Sequence, residues 1–352
     1  MIRWRKGEVV RIRREWPGAM ELDVALPEGQ IRALAYPPLV GSPEVGDDVL
    51  LNTTALAMGL GTGGYAMVVA YPNRLPEDPA GPGHLVKARY TPMQATVLGA
   101  DEQDSPYHEV LREADSVEGM PVVVADLHSA LTPILCGMDR SVRAVYVMLD
   151  GGALPAWFSM ACAQLRELGW LAGVVTVGQA FGGDVEAVTT HTGLLAAKHV
   201  LNADVAIVTQ GPGNLGTGTK WGFSGVSAGE AVNAAAVLRG RPVAALRVSE
   251  GDLRERHIGV SHHSLTAYGR VALAPAQVPV PELPGAFGER VRDQAELLAV
   301  RHELVSVPVD GLHEALLECP VRMSTMGRGL EEDLAYFLTS AAAGRHALTL
   351  LD

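Results

Sequence analysis

The residues between Val205 and Gly229 carry the first chemical signal. An apolar segment, VAIVTQ, runs into a loop with glycines at 211, 213, 216, 218, 222 and 225, and an alanine-rich helical segment follows. Glycine lets a backbone turn at positive φ and approach a ligand with no Cβ in the way. Amide N–H groups converging ahead of a helix make a place for an anion. The candidate anion-binding set is Gly211, Gly213, Asn214, Gly216, Thr217, Gly218, Thr219 and Lys220. GPGNLG fits G-x-G-x-x-G in form. However, Pro212 sits inside the turn, and no acidic residue follows about 20 positions on at a second strand end, as a dinucleotide site needs. Lys220 is followed by Trp221, so the magnesium-binding hydroxyl of a phosphate loop is missing. Two readings stay open: an anion site, or a crossing where strand and helix pack closely.

Titratable residues at strand ends carry the second signal. Asp126 ends PVVVAD and His128 follows two places on; a carboxylate can orient an imidazole for acid–base work near neutral pH. Asp150 ends YVMLD, and His191 falls in the helical stretch expected to start at Asp184, which reads as its N-cap. HIGVSHH supplies His257, His262 and His263. On a strand His257 and His263 share one side and His262 faces the other. His257 and His263 are therefore the candidate metal pair. Asp126, His128, Asp150, His191 and His262 are the candidate catalytic groups.

These residues need elements to hold them on one edge. The first hundred residues give short, partly alternating strands separated by turn residues: GEVVRIRRE, MELDVAL, QIRALAY, DDVLLN and YAMVVAY. They predict a small β-barrel over 1–100, with HLVKARY and MQATVLGA assigned to it. From residue 101 to 352 the period changes. PVVVAD, RAVYVML, AGVVTV, DVAIVTQ and RPVAALRVS alternate with helical stretches, which implies right-handed βαβ units. The expected fold is α/β: an N-terminal small β-barrel followed by a three-layer, Rossmann-like domain with a mainly parallel sheet. Ligands of such sheets bind beyond the carboxyl ends of the strands. The proline-rich APAQVPVPELPG (274–285) reads as a surface crossing.

Composition narrows the class. Formal net charge is −12, from 28 basic and 40 acidic residues, which disfavours nucleic acid and anionic membrane. The three cysteines form no C-x-x-C pair and fit a reducing, cytoplasmic setting. No run approaches the roughly 20 apolar residues of a membrane span. The leading expectation is a hydrolase or transferase for a small anionic or phosphorylated metabolite held at the glycine loop. The alternative is a non-catalytic metabolite sensor or partner-binding protein. A homo-oligomer is compatible with the small-residue helices, and no cofactor can be named.

NTTALAMGLGTGGYAMVVA, EQDSPYH, MLDGGALPA, VTVGQAFGGDVEAV, IVTQGPGNLGTGTKWGFSG and RERHIGVSHHSLT together resemble domain of unknown function 3866. The resemblance covers nearly the whole chain. It implies a bacterial cytoplasmic protein in which the β-rich and α/β parts belong together. It transfers no functional residue.

Overall fold

The computed structural model describes residues 1–61 and 63–351. The chain divides into two compact units, Met1–Val97 and Leu98–Asp352.

In the first unit β1 (Trp4–Trp16), β2 (Ala19–Leu26), β3 (Gly29–Ala35), β4 (Asp48–Asn52) and β5 (Ala66–Ala70) close a barrel in the order β1-β2-β3-β5-β4. These are the five alternating segments read from the sequence. β3 and β5 run parallel; the other pairs are antiparallel. Leu22, Val24, Ala33, Ala35, Val49, Leu51 and Val68 fill the interior, as strand alternation requires. Glu21 is fully buried, with Arg14 at 2.7 Å, Arg13 at 3.3 Å and Arg32 at 3.5 Å. β6 (Leu85–Lys87) and β7 (Ala95–Val97) pair only with each other, so the barrel closes without them.

The second unit is built on an all-parallel sheet of eight strands. In chain order they are β8 (Pro121–Val124), β9 (Ala144–Leu149), β10 (Gly173–Thr176), β11 (Val185–Glu186), β12 (Val205–Gln210), β13 (Arg241–Ala244), β16 (Gln277–Pro281) and β17 (Glu303–Val307). A separate antiparallel pair, β14 (Val248–Ser249) and β15 (Gly259–Val260), lies between β13 and β16 in sequence. The spatial order is β11-β10-β9-β12-β8-β13-β16-β17. β8, β9, β10 and β12 are buried along their whole length, which is why they read as continuous apolar runs.

Helices cover both faces. Leu131–Cys136, which follows β8, packs with the C-terminal helix Leu334–Leu348. Thr190–His199 and Ser227–Val237, which lead into and out of β12, pack with each other. Glycines let the first pair approach closely: a Cβ on Gly344 would collide with the Ile134 carbonyl, and one on Gly137 with the Ala341 carbonyl. The connection leaving β8 thus runs over one face, while that leaving its neighbour β12 runs over the other and crosses to β13. The carboxyl end of β8 is a topological switch point, where open α/β sheets leave a crevice.

Several local expectations are corrected. The 274–285 stretch is no surface crossing: Gln277–Pro281 is a sheet strand with four buried residues, paired with β17 throughout. Its pairing with β13 is limited to Val243↔Gln277, so prolines, which have no N–H to donate, remove few ladder bonds there. Asp184 starts no helix. It precedes the short β11, its Oδ2 accepting from Val174 N at 2.8 Å and its Oδ1 facing Arg166 at 2.7 Å. The helix carrying His191 begins after Thr189, whose hydroxyl accepts from Thr192 N.

Candidate functional site: the crevice at the end of β8

Asp126 lies two residues past β8 and is 4% exposed. Its backbone oxygen accepts from Gln210 Nε2 at 2.8 Å, which ties it to the end of β12. Its Oδ2 stands 3.5 Å from His263 Nδ1 and 3.7 Å from Arg247 Nη1, and has no hydrogen-bond donor in good geometry. Burial alone would raise the Asp126 pKa, but adjoining His263 and Arg247 hold it below the usual carboxylate value.

Arg247 follows β13 and is 3% exposed. Its Nη2 is 3.7 Å from Asp252 Oδ2, its Nη1 3.3 Å from His263 Nδ1. Asp252 is also clasped by Arg254 at 2.8 Å and reached by Arg328 at 3.4 Å. Arg328 in turn holds Asp333 at 3.0 Å. Arg247, Arg254 and Arg328 therefore balance Asp126, Asp252 and Asp333. Sequence reading missed Arg247; the available signal was one arginine inside the apolar run VAALRV.

The histidines do not sit on a strand. His257 ends a short 3-10 turn, β15 covers two residues, and Ser261 caps the helix His262–Thr266 by accepting from His263 N at 3.2 Å. That turn brings together what strand alternation would separate. One ring nitrogen from each of His257, His262 and His263 lies within 4.8 Å of the other two. The expected division into a metal pair and an independent His262 is corrected: the three form one cluster. His257 Nδ1 bonds Ser261 Oγ at 2.7 Å. His262 Nε2 is buried without a partner. Phe223, from the glycine loop, stacks on the His263 ring at 3.8 Å. Burial, with Arg247 and other nearby cations, lowers the His257 pKa to about 3. Burial, with His263 and Arg256, lowers that of His262 to about 4.

His128 does not join this cluster. The strand conformation ends before it, and its ring turns to Tyr146 and Ser159: Nδ1 is 3.0 Å from Tyr146 Oη and Nε2 2.7 Å from Ser159 Oγ. The Asp126–His128 pairing is corrected; His263 takes that place.

The glycine loop has two parts. At its base, glycine is a packing requirement. A Cβ on Gly211 would strike the Ala153 carbonyl, and one on Gly225 would lie 2.9 Å from the Asp126 carbonyl. Asn214 Oδ1 braces the base, accepting from Gln210 Nε2 and Ser224 Oγ. The tip folds back on itself: Thr217 N donates to Gly222 O at 2.7 Å, and Gly222 N to Thr219 Oγ1 at 3.1 Å. Gly213 and Gly218 have φ of +88° and +77°. Gly216, Thr217, Gly218, Thr219 and Lys220 are exposed. The tip adjoins Arg256, whose Nη2 would lie 3.9 Å from a Cβ on Gly218.

Asp150 and His191 come together elsewhere on the strand-end edge. With Gly178, Thr189, Ser227 and Glu230 they line an open cleft of about 360 Å³. Asp150 Oδ2 accepts from Gln179 N at 2.8 Å. Gly151 links this cleft to the crevice, since a Cβ there would lie 2.6 Å from Gln210 Oε1. The two carboxylates, Asp150 and Glu230, make the cleft unfavourable for an anion.

A closed five-strand barrel and an eight-strand, all-parallel sheet flanked by helices define a mixed α/β protein with a Rossmann-like second unit. The chain belongs to the family described as "Protein of unknown function (DUF3866)", whose model matches residues 32–344. No curated protein matches it. Among the described residues, no helix is long and apolar enough to cross a membrane.

Proposed function

We propose that the protein is an enzyme, a hydrolase or transferase, acting on a small anionic metabolite at the carboxyl edge of the parallel sheet. One observation carries this reading. The switch point at the end of β8 gathers a buried carboxylate, a buried guanidinium and three imidazoles in direct contact with the base of the glycine loop. The anion lies over the loop tip, where Lys220 and Arg256 supply charge and the amides of Gly218, Thr219 and Lys220 supply donors. Asp126 and the histidine cluster beneath it form the centre at which the chemistry takes place. The acidic cleft of Asp150 and His191 takes the uncharged or cationic part of the substrate, a division of labour that the opposed charges favour.

The test is a binding and turnover screen with phosphorylated and carboxylated metabolites, repeated on Arg256→Ala, Lys220→Ala and Gly213→Val. Losing one charge-assisted contact weakens binding about tenfold or more. Valine at the positive φ of Gly213 distorts the loop. Unchanged affinity in all three variants refutes the loop as the anion site. Tight binding with no turnover of any compound favours a metabolite sensor instead.

A further inference from the structure

We propose that His257, His262 and His263 hold one divalent transition-metal ion of the zinc class, through the Nε2 atom of each ring. The inference deepens the crevice reading and rests on it for what the ion does, though not for whether the ion binds.

Three facts point to a ligand. The first is convergence: three imidazoles from a turn, a helix start and the next residue place ring nitrogens within 4.8 Å of one another. Around a tetrahedral ion with Zn–N near 2.1 Å, ligand atoms sit about 3.4 Å apart. The rings must therefore draw in by roughly 1 Å, within the reach of side-chain rotation.

The second is the pattern of engaged and idle nitrogens. A ligating histidine is normally oriented by a hydrogen bond at its other nitrogen. His257 Nδ1 is held by Ser261 Oγ at 2.7 Å, leaving its Nε2. His263 Nδ1 lies 3.5 Å from Asp126 Oδ2 and 3.3 Å from Arg247 Nη1, so these two groups occupy that nitrogen and leave Nε2. His262 Nε2 is buried with no partner at all, which a polar atom in a folded interior seldom tolerates.

The third is charge. Arg247, Arg254 and Arg328 beside the cluster are matched by Asp126, Asp252 and Asp333, which leaves Arg256, among the described residues, as the unpaired cation near His262. Imidazole-only donors suit zinc and its neighbours rather than magnesium or calcium, which take oxygen. Three histidines leave a fourth position for water or for an oxygen of the bound anion, as in catalytic rather than structural zinc sites.

The test uses the full chain. Metal content is measured on protein purified without chelator, and the stripped protein is titrated with Co²⁺, whose visible absorption reports tetrahedral nitrogen coordination. The expected result is one equivalent of ion, with affinity lowered about 100-fold in His262→Ala and His257→Ala, and about tenfold in the orienting variants Ser261→Ala and Asp126→Asn. Circular dichroism confirms that each variant folds. If an alanine variant does not fold, His262→Gln and Ser261→Ala decide the matter. No stoichiometric ion overturns the proposal. So does an ion whose affinity the folded variants leave unchanged, since it then sits elsewhere. Turnover that survives complete metal removal defeats the ion's catalytic use while leaving the enzyme reading intact. A bound ion with no substrate affinity at the loop defeats the enzyme reading alone.

Discussion

His128 shows how a residue with the chemistry of an acid–base catalyst can be used by the fold for another purpose. Tyr146 and Ser159 occupy both ring nitrogens, and burial lowers its pKa from 6.5 to about 4. The unfolded chain takes up a proton as pH falls below 6.5, whereas the fold refuses it until about 4. Its contribution to stability is therefore complete above pH 6.5 and is lost as pH falls from 6.5 to 4, by about 3 kcal/mol. Urea unfolding of the wild type and of His128→Gln across this window should show a shallower decline in the variant. Parallel pH profiles would mean that the ring is not held neutral. The sequence displayed Asp126 and His128 as a pair because two-residue spacing faces them alike on a strand; it could not display that the strand stops at Val124. The same limit applied to the HIGVSHH segment. There the turn at Glu255–His257 and the Ser261 cap, rather than alternation, decide where each imidazole goes.

At the scale of elements, legibility followed burial pattern. Barrel strands announced themselves by alternation, and the central sheet strands by unbroken β-branched runs. β16 was hidden because two prolines argue against a strand anywhere a full ladder exists on both sides. β11 was hidden because two residues cannot establish a period. Helix packing was also out of sight: glycines at 137 and 344 look like poor helix residues, yet they let two helices cross with carbonyls where a Cβ would stand. Gly344→Ala should therefore destabilise the protein by about 2–3 kcal/mol, the range for forcing a methyl into a packed contact. Gly81→Ala makes a clean comparison, because a Cβ there meets nothing and no positive φ is required. That change should be neutral or stabilise by a few tenths of a kcal/mol through the unfolded chain. Equal thermal shifts for the two variants would show that the Leu131–Cys136 and Leu334–Leu348 crossing is not tight.

The whole molecule combines two units with different claims to independence. Every residue of the histidine cluster, its carboxylates and its arginines lies between 126 and 333, inside the Leu98–Asp352 unit. That unit has a contiguous apolar core spanning all eight sheet strands. It is long enough to bury roughly 70% or more of the surface its unfolded chain exposes. The barrel unit has its own smaller core and a closed sheet with no free edge to cover. The family match, at residues 32–344, nevertheless runs through both. Physical independence in folding is thus compatible with joint inheritance, and the two can be separated by experiment. A fragment of residues 98–352 should fold cooperatively, keep near-ultraviolet circular dichroism, and bind Co²⁺ within about twofold of the full chain. A fragment that stays molten would make the barrel part of the folding unit. A well-folded fragment with much weaker cobalt binding would mean that the crevice depends on the first 97 residues.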